Sequence, residues 1–111
     1  MNTQFKKGII EMCVIHAIRS KDMYGYEVID TLSRELDVNE NTIYPILRRL
    51  TEQEYFETYT ESTNLGAPRK YYRITKAGVE RDDETRAEWN AFLKGVMKIL
   101  GGTEHEKAVS Q

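Results

Sequence analysis

One cysteine, two prolines, two histidines and one tryptophan stand among 111 residues, and positive charge is not in surplus. Each shortage excludes something. Cys13 alone cannot close an intrachain disulfide, and its apolar surroundings mark it as a small core residue. No uncharged apolar run approaches the roughly 20 residues of a bilayer-spanning helix. The opening MNTQFKKGII lacks a signal-peptide pattern. The expectation is a soluble protein of a reducing compartment, hence cytoplasmic, with no membrane partner. His16 lies in an apolar run and His105 in a polar tail. Neither has a metal-ligating or nucleophilic partner near in sequence, so no enzyme, metal or cofactor is expected. A formal net charge of −2 and a pI of about 5.7 argue against a uniformly basic nucleic-acid-binding domain. Only clustering of the positive charge would answer that.

What the chain does have is helical period. Length and 40% hydrophobic content fit one domain with a modest core. Phe5 to Ser20 is apolar on most sides, with Ile9, Ile10, Met12, Cys13, Val14, Ile15, Ala17 and Ile18. Such a helix needs burial on more than one face, so part of it is expected to meet a second subunit. Lys6 and Lys7 sit at its positive dipole end, where cations are unfavourable unless they reach toward phosphates; solvated lysines are the alternative. From Tyr24 to Leu36 the period resumes, with Val28, Ile29, Leu32 and Leu36 inward. Gly25 near its start costs about 1 kcal/mol of helix propensity relative to alanine; a close approach by another element would explain it, and so would chance.

The next helix, residues 40–53, is the one the chain is organised around. Asn39 caps it. Ile43, Ile46, Leu47 and Leu50 form a core stripe at i, i+3, i+4, i+7. Asn41, Tyr44, Pro45 and Arg48 occupy the other side, flanked by Thr42 and Arg49. Those groups suit phosphates and base edges. The alternative is a solvated face on which Arg48 and Arg49 pair with Glu52. Pro45 removes an N–H from the second turn and leaves the Asn41 carbonyl without its partner, so the helix should bend or loosen there. Two helices joined by so short a link fit a helix-turn-helix.

After Glu54 the period becomes two. Residues 55–61 and 69–74 alternate around the polar loop Ser62 to Pro68, which predicts a β-hairpin. With Tyr72 and Ile74 inward, Arg69, Tyr71 and Arg73 point outward, and Lys70 reaches either way. Thr75 then caps a last helix whose stripe is Trp89, Phe92, Leu93, Val96, Ile99 and Leu100, ended by Gly101-Gly102. Acidic residues at its start, Asp82 and Asp83 among them, suit the dipole. The stripe outruns the core, and a second copy is its simplest cover. Three stretches, Tyr24-Gly25-Tyr26-Glu27, Asn39 to Leu50, and Arg69 to Thr75, closely resemble the PadR family of transcriptional regulators. The resemblance covers roughly residues 5–100 and points to the short subfamily with one C-terminal helix.

The resemblance implies a mainly α fold with a small β-hairpin: a winged helix-turn-helix over 1–76, a dimerisation helix over 77–102, and a polar tail over 103–111. It implies a homodimer on palindromic operator DNA. Members typically repress genes of detoxification, phenolic-acid metabolism or multidrug export, and many release DNA when a small molecule binds. Asn39, Asn41, Thr42, Tyr44 and Arg48 match the reading helix; Lys70 and Tyr71 match the wing, with Arg69 and Lys6 added from their outward placement. Trp89 matches a tryptophan that faces flat aromatic ligands between subunits. Phe5, Ile9, Phe92, Leu93 and Val96 are expected around it, as dimer contacts or pocket lining. Asn41 departs from the small residues common at its position, and Ala67 from a wing turn often richer in Gly and Arg. A reading of a different class stays open: a small-molecule sensor or assembly module on the same scaffold, without specific DNA binding.

Overall fold

The computed structural model describes residues 3–101, with side chains from Lys6 onward. The expected tail 103–111, His105 and the Phe5 side chain lie outside that range. Seven elements follow in order: α1 (Thr3–Ser20), β1 (Met23–Tyr24), α2 (Gly25–Ser33), α3 (Glu40–Glu52), β2 (Phe56–Glu61), β3 (Arg69–Ile74) and α4 (Lys76–Leu100). The fold is mainly α with a small antiparallel sheet, the winged helix-turn-helix arrangement.

The core gathers one stripe from each of the first three helices. Ile10, Val14, Ile15 and Ile18 come from α1, Val28 and Leu32 from α2, and Ile43, Ile46, Leu47 and Leu50 from α3; Phe56 and Tyr72 close it from the sheet. The four α3 side chains are each at most 2% exposed, so that stripe anchors the helix, each residue contributing about 1.5–3 kcal/mol by burial. α3 begins on Asn39, whose Oδ1 accepts the Asn41 N–H at 2.9 Å. It runs unbroken through Pro45 to Glu52.

The sheet has three strands in the order β1-β3-β2, not the two of a bare hairpin. Met23 and Tyr24 pair with Tyr72 and Tyr71. Two residues are too few to show an alternation, so this strand left no periodic signal. Tyr24 therefore belongs to the strand and to the N-cap of α2, where the Glu27 carboxylate accepts its N–H at 3.2 Å. α2 ends at Ser33, three residues earlier than the apolar pattern reaches. There the Leu32 carbonyl takes the N–H of both Glu35 and Leu36 and turns the chain.

α4 starts where Thr75 Oγ1 accepts the Gly78 N–H at 3.0 Å and donates to the Glu54 carbonyl at 2.7 Å. Gly78 is buried, and a Cβ there would lie 2.3 Å from the Tyr55 carbonyl oxygen. Backbone meets backbone at that point. One turn later Asp82 is 1% exposed, so this acid near the positive end of the helix dipole is also buried. Its Oδ2 accepts from Arg19 Nη1 at 3.0 Å and lies 3.0 Å from His16 Nδ1, tying α4 to α1. His16 thus has a partner, 66 positions away. Beyond this tie α4 runs on past the core, and the molecule measures 60 × 26 × 24 Å. Gly101, at φ 67°, ends the helix in the left-handed region that favours glycine.

Candidate nucleic-acid interface

The outer side of α3 carries Asn41, Tyr44, Pro45 and Arg48, all exposed, with Thr42 half-buried beside them. Asn39 is held by its cap: its Oδ1 accepts the Asn41 N–H, while its amide N–H groups remain able to donate outward. Neighbouring arginines divide. Arg49 reaches back to Glu11 on α1. Arg48 has no carboxylate within 4 Å among the described residues. The pairing of both with Glu52, which would have left a bland solvated face, does not form there. Lys6 and Lys7 line a cleft of about 410 Å³ with Asn41, Thr42 and Pro45. The start of α1 thereby adds two ammonium groups beside the positive end of the α3 dipole.

The wing divides its side chains by strand parity. On the core side, burial pushes the Tyr72 hydroxyl up in pKa; nearby Tyr44 adds to this and Arg48 opposes it. The Lys70 ammonium sits 5.7 Å from the centre of the Tyr72 ring. Lys70 thus shares the side of β3 on which Tyr72 packs into the core. On the other side Tyr71 stacks on Tyr59 at 5.5 Å and touches Tyr24. Arg69 lies 4.5 Å over Tyr24 and Arg73 4.5 Å over Tyr59. Asp22 accepts the Tyr59 phenol at 2.7 Å, which holds that hydroxyl above its usual pKa. Arg69 and Tyr71, expected on the DNA surface, pack here against Tyr24 and Tyr59. They build an aromatic–guanidinium ladder that stiffens the wing. Tyr72 is 7% exposed, buried in the core as its parity predicts.

Comparison with known proteins places this geometry. A model of the transcriptional regulator PadR-like family matches residues 14–84. The chain belongs to the PadR-like family. An uncharacterised protein of Lysinibacillus sphaericus is 33% identical over 102 residues, 88% of this chain and 94% of that one. Among solved structures, a PadR-like transcriptional regulator of Bacillus cereus is similar at 33% identity and TM-score 0.81, over 91% of this chain and 100% of its own. A Streptococcus transcriptional regulator is similar at 33% identity and TM-score 0.80, covering 88% and 98%. This is a PadR-type transcriptional regulator, of a family of regulators and not of enzymes. Among its described residues no helix is long and apolar enough to cross a membrane.

The apolar residues expected at the PadR dimer face fall along α1 and α4. Ile9, Trp89 and Phe92 line a cleft of about 500 Å³ with Met12 and Ile15. Trp89, half-buried, also lines a second cleft with Met12, Cys13, Leu32 and Leu36. There burial raises the Cys13 thiol pKa, which keeps it protonated and inert. Leu93 and Val96 continue the stripe, Leu93 exposed and Val96 half-buried. Phe92 is 57% and Ile99 85% exposed in the single chain.

Proposed function

We propose that this regulator is a homodimeric repressor that binds a palindromic operator through α3 and the wing. In this reading residues 1–76 bind DNA and 77–102 hold the dimer. The observation that carries it is the outer face of α3: the exposed Tyr44 phenol and, one turn on, the Arg48 guanidinium with no carboxylate within 4 Å among the described residues, both above a helix stripe fixed in the core. Asn41 and Thr42 extend that surface along α3, and Lys6 extends it onto α1. Two such helices in a dimer would enter successive major grooves about 34 Å apart. The cations would hold phosphates and set the register, while Asn41 and Arg48 would read base edges. Arg69 and Tyr71 would act at one remove, by fixing the wing.

Control by a planar aromatic effector follows from the α4 face. Trp89 and Phe92 of two copies would bring four aromatic rings together, and a flat ligand could stack among them. Such a ligand acts on DNA binding only if it favours one spacing of the two α3 helices over another.

The test is a mobility-shift titration against the protein's own upstream promoter at several salt concentrations, beside an unrelated duplex. Selective binding that weakens steeply with salt is the expected result. Equal, weak binding to both duplexes would overturn the operator reading and favour an assembly or sensor role for the exposed α4 stripe.

A further inference from the structure

Gly25 opens α2 immediately after the strand residue Tyr24. Its backbone does not require glycine, since the left-handed region is reserved to Gly101 and Glu54 among the described residues. Helix propensity favours alanine there. Space is the constraint. A Cβ on Gly25 would lie 2.6 Å from Cε1, 3.0 Å from the hydroxyl oxygen and 3.2 Å from Cζ of Tyr44. All three nearest atoms belong to that one ring, which comes from α3 and is itself 42% exposed. One edge of the ring is seated on α2 and the rest faces outward with Arg48.

We infer that Gly25 is a positioning residue for operator recognition: its missing side chain is the seat that orients Tyr44. The inference rests on the operator reading above. Any side chain at position 25 displaces the ring, because the contact is far below van der Waals separation. The ring is the free end of a flexible side chain, so it can swing aside without disturbing the core. The domain then stays folded while the outer face of α3 that Tyr44 shares with Arg48 changes shape. Glycine is kept against helix propensity because α3 needs the room.

Gly25→Ala, Tyr44→Ala and the double variant of the full chain test this by promoter affinity, thermal melting and the NMR shift of the Gly25 Hα. Gly25→Ala should weaken promoter binding about tenfold, at the low end of what one good recognition contact contributes. Its melting temperature should be unchanged or higher. The double variant should bind no more weakly than Tyr44→Ala, because the glycine acts only through the ring. The Gly25 Hα should show a ring-current shift that disappears in Tyr44→Ala. Promoter affinity unchanged in Gly25→Ala, or losses that multiply in the double variant, would overturn the positioning role alone. A wild-type chain that binds no duplex selectively would overturn the operator reading and the positioning role together, while the Hα shift still reports the seat.

Discussion

Arg48 and Arg49 are adjacent, carry the same group and sit on one helix, yet their replacement by alanine should give opposite phenotypes. Arg48 is exposed and has no carboxylate partner among the described residues. Removing it takes nothing from the fold, so stability should change by less than about 0.5 kcal/mol. In the proposed operator reading, what it removes is a contact to DNA. Loss of one phosphate-neutralising cation per subunit lowers the slope of log affinity against log salt by about 0.9, or about 1.8 for a dimer. If the guanidinium also reads a base edge, each half-site loses about 1–3 kcal/mol, roughly tenfold to hundredfold in affinity. Arg49 is instead tied to Glu11, with side-chain exposures of 31% and 26%. Arg49→Ala strands that partly buried carboxylate and should cost about 1 kcal/mol of stability, discounted for solvent. The melting point should drop by about 4 °C while the salt slope holds. Paired denaturation curves and salt-titrated mobility shifts on both variants read the contrast. A salt slope that moves with Arg49 and not with Arg48 would refute the assignment of the outer α3 face.

Other perturbations test the frame around that face. Gly78→Ala sets a methyl against the Tyr55 carbonyl and should destabilise by about 2 kcal/mol or more, since neither backbone can yield cheaply; a melting curve like wild type would show that α4 can pivot. Glu54 holds φ 67° between α3 and β2, so Glu54→Gly should stabilise by about 1 kcal/mol by relieving left-handed strain, and a lower denaturation midpoint would count against it. Tyr59 titrates above its ordinary value of 10.0 because its proton is held by Asp22. Folding then protects that proton, and stability present below pH 10 is lost as pH rises through the folded value. Tyr59→Phe should flatten that alkaline loss in pH-dependent melts; an unaltered alkaline limb would assign the loss elsewhere. Trp89→Ala should abolish calorimetric binding of planar aromatic ligands, and undiminished heat would remove stacking as its role.

How much of this was legible in advance depended on the range of the interaction that fixed each residue. The α3 stripe and its Asn39 cap follow from period and side-chain chemistry within one helix, and both are found where the sequence places them. The hairpin and the Thr75 cap are equally local. β1 was not legible, since its two residues become a strand only by pairing with Tyr71 and Tyr72. Asp82 was legible only in part, for the same reason. Its place in the first turns of a helix suits the dipole, and only the approach of α1 makes it a buried acceptor for Arg19 beside His16. Gly25 was conspicuous as a local cost, but the ring that explains it is 19 positions away in α3. Parity along β3 did separate Tyr72 from Tyr71. It could not tell that Tyr71's outward face is closed by Tyr24 and Tyr59.

Net charge was the strongest sign against a DNA-binding role, and pairing explains why it misleads. Arg19 is offset by Asp82 and Asp83, Lys21 by Glu27, Arg34 by Asp30, Arg49 by Glu11, and Arg73 by Asp22 and Glu57. These cations contribute to the total but little to the field at the surface, since each has a carboxylate within a few ångströms. Among the described cations with no carboxylate within 4 Å are Arg48 on the outer face of α3 and Lys6 and Lys7 beside Asn41 and Thr42 at its start. In the proposed reading a duplex meets those groups, because at physiological salt charges beyond about 8 Å are screened. The overall −2 is then a weak guide to the field at that face.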